Sequence, residues 1–256
     1  MKILVEHHGP ITTVIINRPG VRNAVDPETA AALGEAFRAF DADQTSAVAV
    51  LCGTGGCFCA GYDLKYLAAH GLPSSYHPEG EPALGITRTL LDKPVIAAVD
   101  GFAVAGGLEL ALWCDLRVME EDAQFGVFCR RWGVPLIDGG TVRLPRLIGM
   151  SHALDMILTG RAVGAQEALG WGLANRVVPK GRARIEAEIL ANEIARFPQT
   201  CLRTDRGSCH RQWDFELDEA LKDEGRRGLA PLLEEARSGA SRFAAGLGRS
   251  GSFERI

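Results

Sequence analysis

Residues 94–115 read PVIAAVDGFAVAGGLELALWCD, and this segment narrows what the chain can fold into more than any other. A run rich in β-branched residues breaks at Asp100-Gly101, resumes through small residues to Gly106-Gly107, and places Glu109 one turn further on. The pattern predicts a strand, a turn and a helix start. Glycines there let a ligand approach backbone N–H groups that the first helical turn leaves unpaired, where the helix dipole favours developing negative charge. Such a place can hold an oxyanion with a carboxylate beside it. A membrane span is excluded, because Asp100 and Glu109 leave no stretch of about 18 uncharged apolar residues. The bland alternative is that the glycines serve tight packing and Glu109 is incidental.

At 46% hydrophobic content, 256 residues can bury a substantial core. A net charge of −4 with scattered Lys and Arg offers no dominant basic face, which argues against nucleic acid as a partner. The N-terminal apolar stretch is too short for a signal peptide, so a cytoplasmic location is the default expectation. Seven cysteines, an odd count without secretory context, read as reduced thiols. Cys57-x-Cys59 beside His70 lacks the paired spacing of a zinc site, and no metal is expected.

Two short alternating segments, 3–6 and 11–17, flank a His-Gly-Pro turn and predict a hairpin. Asp26-Pro27-Glu28 predicts an N-cap, a proline in the first turn and a dipole-complementing acid ahead of Leu33, Phe37 and Phe40 at helical spacing. Strand, small-residue turn and helix then occur twice, at 47–67 and 95–113, separated by a Pro- and Ser-rich loop at 71–82 and a predicted helix at 83–91. Two short strands surround the acidic turn after Asp115, a helix begins at Gly139-Gly140-Thr141, a strand-like stretch covers 176–178, and three or four helices fill 182–237. The Gly-, Ser- and Arg-rich tail from Ser238 is expected to fray. The fold class is α/β: a spiral core over residues 1–195 with a helical region over 196–256.

The Gly53 to Gly56 turn, GTGG, fails the dinucleotide fingerprint because Phe58 stands where a glycine is required. Neither G-K-[ST] nor G-x-S-x-G occurs. What remains is a pair of turns, FCAGYDL at 58–64 and AVAGGLELAL at 103–112. Together with NRPGVRNAV at 17–25, AQFG at 123–126, and GGTVRLPRLIG with LTGR between 139 and 161, they make the chain resemble the enoyl-CoA hydratase (crotonase) family over almost its full length.

The resemblance implies a spiral of β-β-α units, acyl-CoA thioester substrates, no cofactor beyond the coenzyme A carried by the substrate, and homotrimers or hexamers closed by C-terminal helices. It places the N–H groups of Ala60 and Gly106 in an oxyanion hole, and Arg22, Asn23, Ala24, Gly61 and Asp63 around the CoA moiety. Glu109 matches the first catalytic glutamate, while the position of the second is occupied by Cys129, a weak acid with a reference pKa near 8.5. Asp138, just before the Gly-Gly, is a candidate acid or base whose alternative reading is a helix N-cap. Trp132 and the 71–82 loop are expected to line the acyl pocket or its lid. The expected chemistry is hydration of a 2-enoyl-CoA to a 3-hydroxyacyl-CoA, with double-bond isomerisation or non-catalytic acyl-CoA binding as alternatives.

Overall fold

The computed structural model describes residues 1–73, 76–248 and 253. In chain order the elements are β1 (Ile3–His8), β2 (Ile11–Ile16), α1 (Pro27–Ala42), β3 (Val48–Gly53), α2 (Leu64–His70), β4 (Val95–Val99), β5 (Phe102–Val104), α3 (Gly106–Trp113), β6 (Leu116–Glu120) and β7 (Gln124–Gly126). There follow α4 (Gly140–Thr159), β8 (Ala162–Gly164), α5 (Ala165–Gly170), β9 (Arg176–Val178), α6 (Ala183–Ala195), α7 (Gln199–Arg211), α8 (Leu217–Pro231) and α9 (Arg237–Ala244). This is the mixed α/β architecture with a helical C-terminal region read from the sequence.

The main sheet has the order β1-β2-β3-β4-β6-β9, antiparallel only at β1-β2 and parallel thereafter. Its central strands are buried on both faces, which is why they read as near-continuous apolar runs. Alternate residues take opposite sides: Val14, Leu51, Ala97 and Met119 face the large core, whereas Ile15, Val50, Ile96 and Val118 pack with Ala187, Leu190 and Ala191 of α6. On the large-core side α1 contributes Leu33 and Phe37, and the Phe37 ring meets Trp113 of α3 edge-on at 4.8 Å. A second sheet, β5-β7-β8, stands beside the first. Arg117 is buried because its guanidinium satisfies carbonyls left open at the end of α3, reaching Cys114 O at 2.9 Å and Ala111 O at 3.3 Å.

Local rules set the boundaries. Asp26 caps α1 by accepting the Thr29 N–H at 2.8 Å, and Asp63 caps α2 through the Lys65 and Tyr66 N–H groups. The helix expected over 83–91 is absent: this stretch forms turns. Leu84 N–H is drawn to Asp138, and Gly85 has φ +84° where a Cβ would overlap Ala30 O, so close packing against α1 overrides the helical pattern. Residues 237–244, expected to fray, are helical, while the tail at 249–252 and 254–256 lies outside the described residues, as do Ser74 and Ser75 of the expected lid loop. All seven cysteines are unpaired. Among the described residues no three His, Cys, Asp or Glu side chains are grouped to hold a metal, and no helix is long and apolar enough to cross a membrane.

The Asp100-Gly101 turn stores a cost. Burial pushes the Asp100 carboxyl up from its ordinary value to about 6, and its Oδ1 has no hydrogen-bond partner. A carboxyl that holds its proton more tightly folded than unfolded destabilises the fold progressively as pH rises from about 4 to about 6, and fully above that. Asp100→Asn is therefore expected to stabilise by about 2 kcal/mol at pH 7, after allowance for solvent reaching the turn, and by nothing near pH 3. Urea unfolding of both proteins at the two pH values measures this.

Candidate active site

The two strand-turn-helix units bring their turns together. An isolated bridge pairs Cys59 with Ala103, and Val104 N–H donates to Cys59 O at 3.1 Å. Gly61 then lies so close to the start of α3 that a Cβ on it would sit 2.7 Å from Gly106 N. Gly107 is equally constrained, since a side chain there would overlap Cys59 O. Ala105, the residue before α3, has φ +52° and ψ −124°. For a non-glycine residue such a conformation costs on the order of 1–3 kcal/mol and persists only where the surroundings enforce it.

Around this junction lies a cavity of about 920 Å³. Arg22, Ala60, Gly106, Glu109, Trp132 and Asp138 of the expected site line it, and so does Cys129. Asn23, Ala24, Gly61 and Asp63 do not. The Asn23 side chain is fully buried, accepting Arg18 N–H at 2.8 Å and donating to Thr54 O and Cys57 O. Asp63 is spent on the α2 cap and on Arg18, 3.1 Å away, and the Ala24 carbonyl also accepts from Arg18. These residues shape the turns that flank the cavity.

Ala60 requires a correction. Its N–H donates to Arg22 O at 3.0 Å, so it is not free to bind a ligand oxygen. Gly61 N–H points to Cys59 Sγ at 3.3 Å. The next N–H, that of Tyr62, has no acceptor among the described residues, because its parallel bridge to Val25 uses only Gly61 O and Asp63 N. Gly106 N–H, in the first turn of α3, has no intrahelical acceptor either. Tyr62 and Gly106 both line the cavity and supply its free donors at this junction.

Glu109 is 2% exposed. Its Oε1 accepts two backbone hydrogen bonds, from Asp138 N–H at 2.9 Å and Gly140 N–H at 2.8 Å. Burial outweighs these two donors and, with the adjacent Asp138 carboxylate, pushes the Glu109 carboxyl up to about 7. Asp138 does not cap α4. Gly139 holds the N-cap position, with φ +101° and no side-chain cap, and the Asp138 carboxylate turns to Thr87 Oγ1 at 2.6 Å and Leu84 N–H at 3.1 Å. Burial raises the Asp138 pKa, while the Thr87 hydroxyl and Leu84 N–H hold it down in part. Two carboxyls of raised pKa thus face one cavity, a feature of acid/base sites. The Cys129 thiol is raised too, by burial and then by Glu109, so it stays neutral and does not replace a carboxylate.

Trp132 is 65% exposed at the cavity wall, with the Arg131 guanidinium near its ring. Thr87, Leu84 and Arg143 were not singled out in the sequence. Thr87 is 51 positions from Asp138, and no local spacing reveals such a partner. Gly140 has a direct test: a Cβ there would lie 3.0 Å from Glu109 Cγ and Oε1. Gly140→Ala is expected to displace the carboxylate and lower turnover by roughly a hundredfold while the far-ultraviolet circular dichroism spectrum is retained.

With this geometry in place, the comparisons are specific. The profile of the enoyl-CoA hydratase/isomerase family matches residues 6–244. A carnitinyl-CoA dehydratase of Salmonella typhi is 41% identical over 189 residues, covering 73% of this chain and 72% of the relative. The crystal structure of an enoyl-CoA hydratase from Mycobacterium marinum superposes with a TM-score of 0.88 at 34% identity, covering 95% of this chain and 96% of the other. An enoyl-CoA hydratase from Bacillus anthracis gives 0.87 at 30% identity, covering 96% of each. This chain belongs to the enoyl-CoA hydratase/isomerase family.

Proposed function

We propose that this enzyme adds water across the double bond of a 2-enoyl-CoA, giving the 3-hydroxyacyl-CoA, through an enolate whose oxygen lies between the N–H groups of Tyr62 and Gly106. The observation that carries this reading is the juxtaposition of two carboxyls of raised pKa, Glu109 and Asp138, with those two unpaired donors on one cavity wall. Hydration needs one group to take a proton from water as its oxygen bonds to C3, and one to give a proton to C2. Near neutral pH the Glu109 carboxyl, pushed up to about 7, retains a proton it can give to C2, while the Asp138 carboxylate takes the proton from water. Two backbone donors aimed at the developing oxyanion each contribute about 3 kcal/mol of barrier lowering.

The names of the relatives favour the same chemistry: a dehydratase and a hydratase run one equilibrium in opposite directions. No cofactor is needed, because coenzyme A arrives as part of the substrate. The helical C-terminal region exposes Leu217, Leu221, Leu229, Leu232 and Leu233, an apolar surface that supports association into homotrimers or hexamers. Nucleic acid and membranes have no part in this reading, and a cytoplasmic location fits it.

The purified protein is expected to bleach the enoyl absorbance of crotonyl-CoA, and Glu109→Gln to lose about 10²- to 10⁴-fold in kcat. Conversion of a 3-enoyl-CoA to the 2-enoyl isomer without hydration would reassign the enzyme as an isomerase. Micromolar binding of acyl-CoA without product would make it a binding protein. The pH profile of kcat/KM is expected to be bell-shaped, falling on the alkaline side through about pH 7 as Glu109 loses its proton. Asp138→Asn should depress turnover and abolish the acid limb; an unchanged profile would remove Asp138 from the pair.

A further inference from the structure

We infer that Arg143 and Thr87 are positioning residues: they clasp the segment carrying Asp138 and Gly140 to the 84–87 turn beside the cavity and thereby set the placement and charge of the Glu109–Asp138 pair. This rests on the assignment of those carboxyls proposed above. Arg143, one turn into α4, reaches back along the chain, and its Nη1 donates to Asp138 O at 3.1 Å. Its Nη2 donates to Thr87 O at 2.5 Å, three residues beyond the cavity-lining Leu84. The Thr87 hydroxyl, fully buried, closes the ring by donating to Asp138 Oδ1 at 2.6 Å. The geometry needs Gly139, because a side chain there would overlap the Arg143 guanidinium and because its φ is +101°.

The consequence falls on Glu109. Its two hydrogen bonds come from the N–H groups of Asp138 and Gly140, the residues on either side of Gly139. A segment free to shift would carry the Glu109 carboxylate with it. The guanidinium also lies within electrostatic reach of both carboxyls. The groups facing Glu109 are Asp138 ahead of α4, Arg143 from α4, and the Cys129 thiol from the 128–132 turn. Those facing Asp138 are the Thr87 hydroxyl, Leu84 N–H, Arg88 and Arg143. Arg88, next in the chain after Thr87, donates to Pro78 O at 2.5 Å, Gly80 O at 2.9 Å and Ile137 O at 3.4 Å. Among the described residues Arg143 is the one that bridges the Asp138 segment and Thr87 while lying near both carboxyls. Removing its charge stabilises the protonated form of each, so both limbs of the pH profile move in the same direction, upward.

The test is Arg143→Met, with Arg143→Lys as the charge-retaining variant, assayed as full-length protein on crotonyl-CoA across pH. The Glu109 carboxyl is titrated in parallel by NMR with carboxyl-labelled glutamate, its resonance identified by its loss in Glu109→Gln. Arg143→Met is expected to lower kcat roughly tenfold to a hundredfold with KM changed less than about threefold. Both limbs and the NMR titration should move up by about half a pH unit or more. Lysine should return the limbs toward the wild-type position but not kcat, because a single ammonium cannot reproduce the two-pronged bridge. Limbs and a Glu109 titration that stay put in Arg143→Met would overturn the inference, as would a loss carried by KM. Should Arg143→Met fail to fold, Thr87→Val and Thr87→Ser decide the matter. Valine is expected to lose turnover and serine to restore most of it, whereas valine at wild-type activity would overturn the clasp. Turnover retained by Glu109→Gln would instead refute the underlying assignment, a result separate from either of these.

Discussion

The site hangs on one interaction: the Oε1 atom of a buried glutamate held between two backbone N–H groups. Charge-assisted hydrogen bonds of this kind contribute about 1.5–3 kcal/mol each, and here they must oppose the cost of burying Glu109. Burial wins, and pushes the carboxyl up to about 7. That outcome suits acid/base work, since a group tethered through one oxygen keeps its direction while its proton remains exchangeable near neutral pH. The tether in turn explains the glycines. Gly139 supplies the left-handed turn and Gly140 lets its N–H come within hydrogen-bond distance of Glu109 with no side chain in the way.

Much of this was legible in the chain. The 94–115 segment folds as strand, turn and helix with Glu109 in the first turn of α3 and buried, with the unforeseen short strand β5 between turn and helix, because apolar runs and glycine placement are local properties that local physics obeys. The Asp26 cap is equally local, whereas Asp63, expected beside the CoA moiety, caps α2 instead. What failed depended on distant partners. Residues 83–91 carry an apolar pattern compatible with a helix, yet Gly85 must pass against Ala30 of α1 and Leu84 must donate to Asp138, 54 positions away. The clasp formed by Thr87 and Arg143 has the same character.

The displacement of the donor role from Ala60 to Tyr62 is a different lesson. Motif position identifies a turn, but which N–H of the turn faces the cavity depends on what the neighbours consume. Here Arg22, itself at φ +52°, presents its carbonyl to Ala60, while the N–H two residues on has no acceptor among the described residues. Cys129 shows the converse. A thiol at the position of the second glutamate is raised by burial and by Glu109, and the carboxyl that we propose takes the second role is Asp138, nine residues along the chain but directly adjacent to Glu109 through its own N–H.

The central claim is that the thioester oxygen is received by the Tyr62 and Gly106 N–H groups with C2 beside Glu109. A crystal structure of the protein with a saturated acyl-CoA tests it most directly. The thioester oxygen is expected about 3 Å from both nitrogens, with C2 within reach of the free Glu109 oxygen. A thioester oxygen bound at the Ala60 N–H, with that residue's bond to Arg22 broken, or a thioester lying away from Glu109, would contradict it.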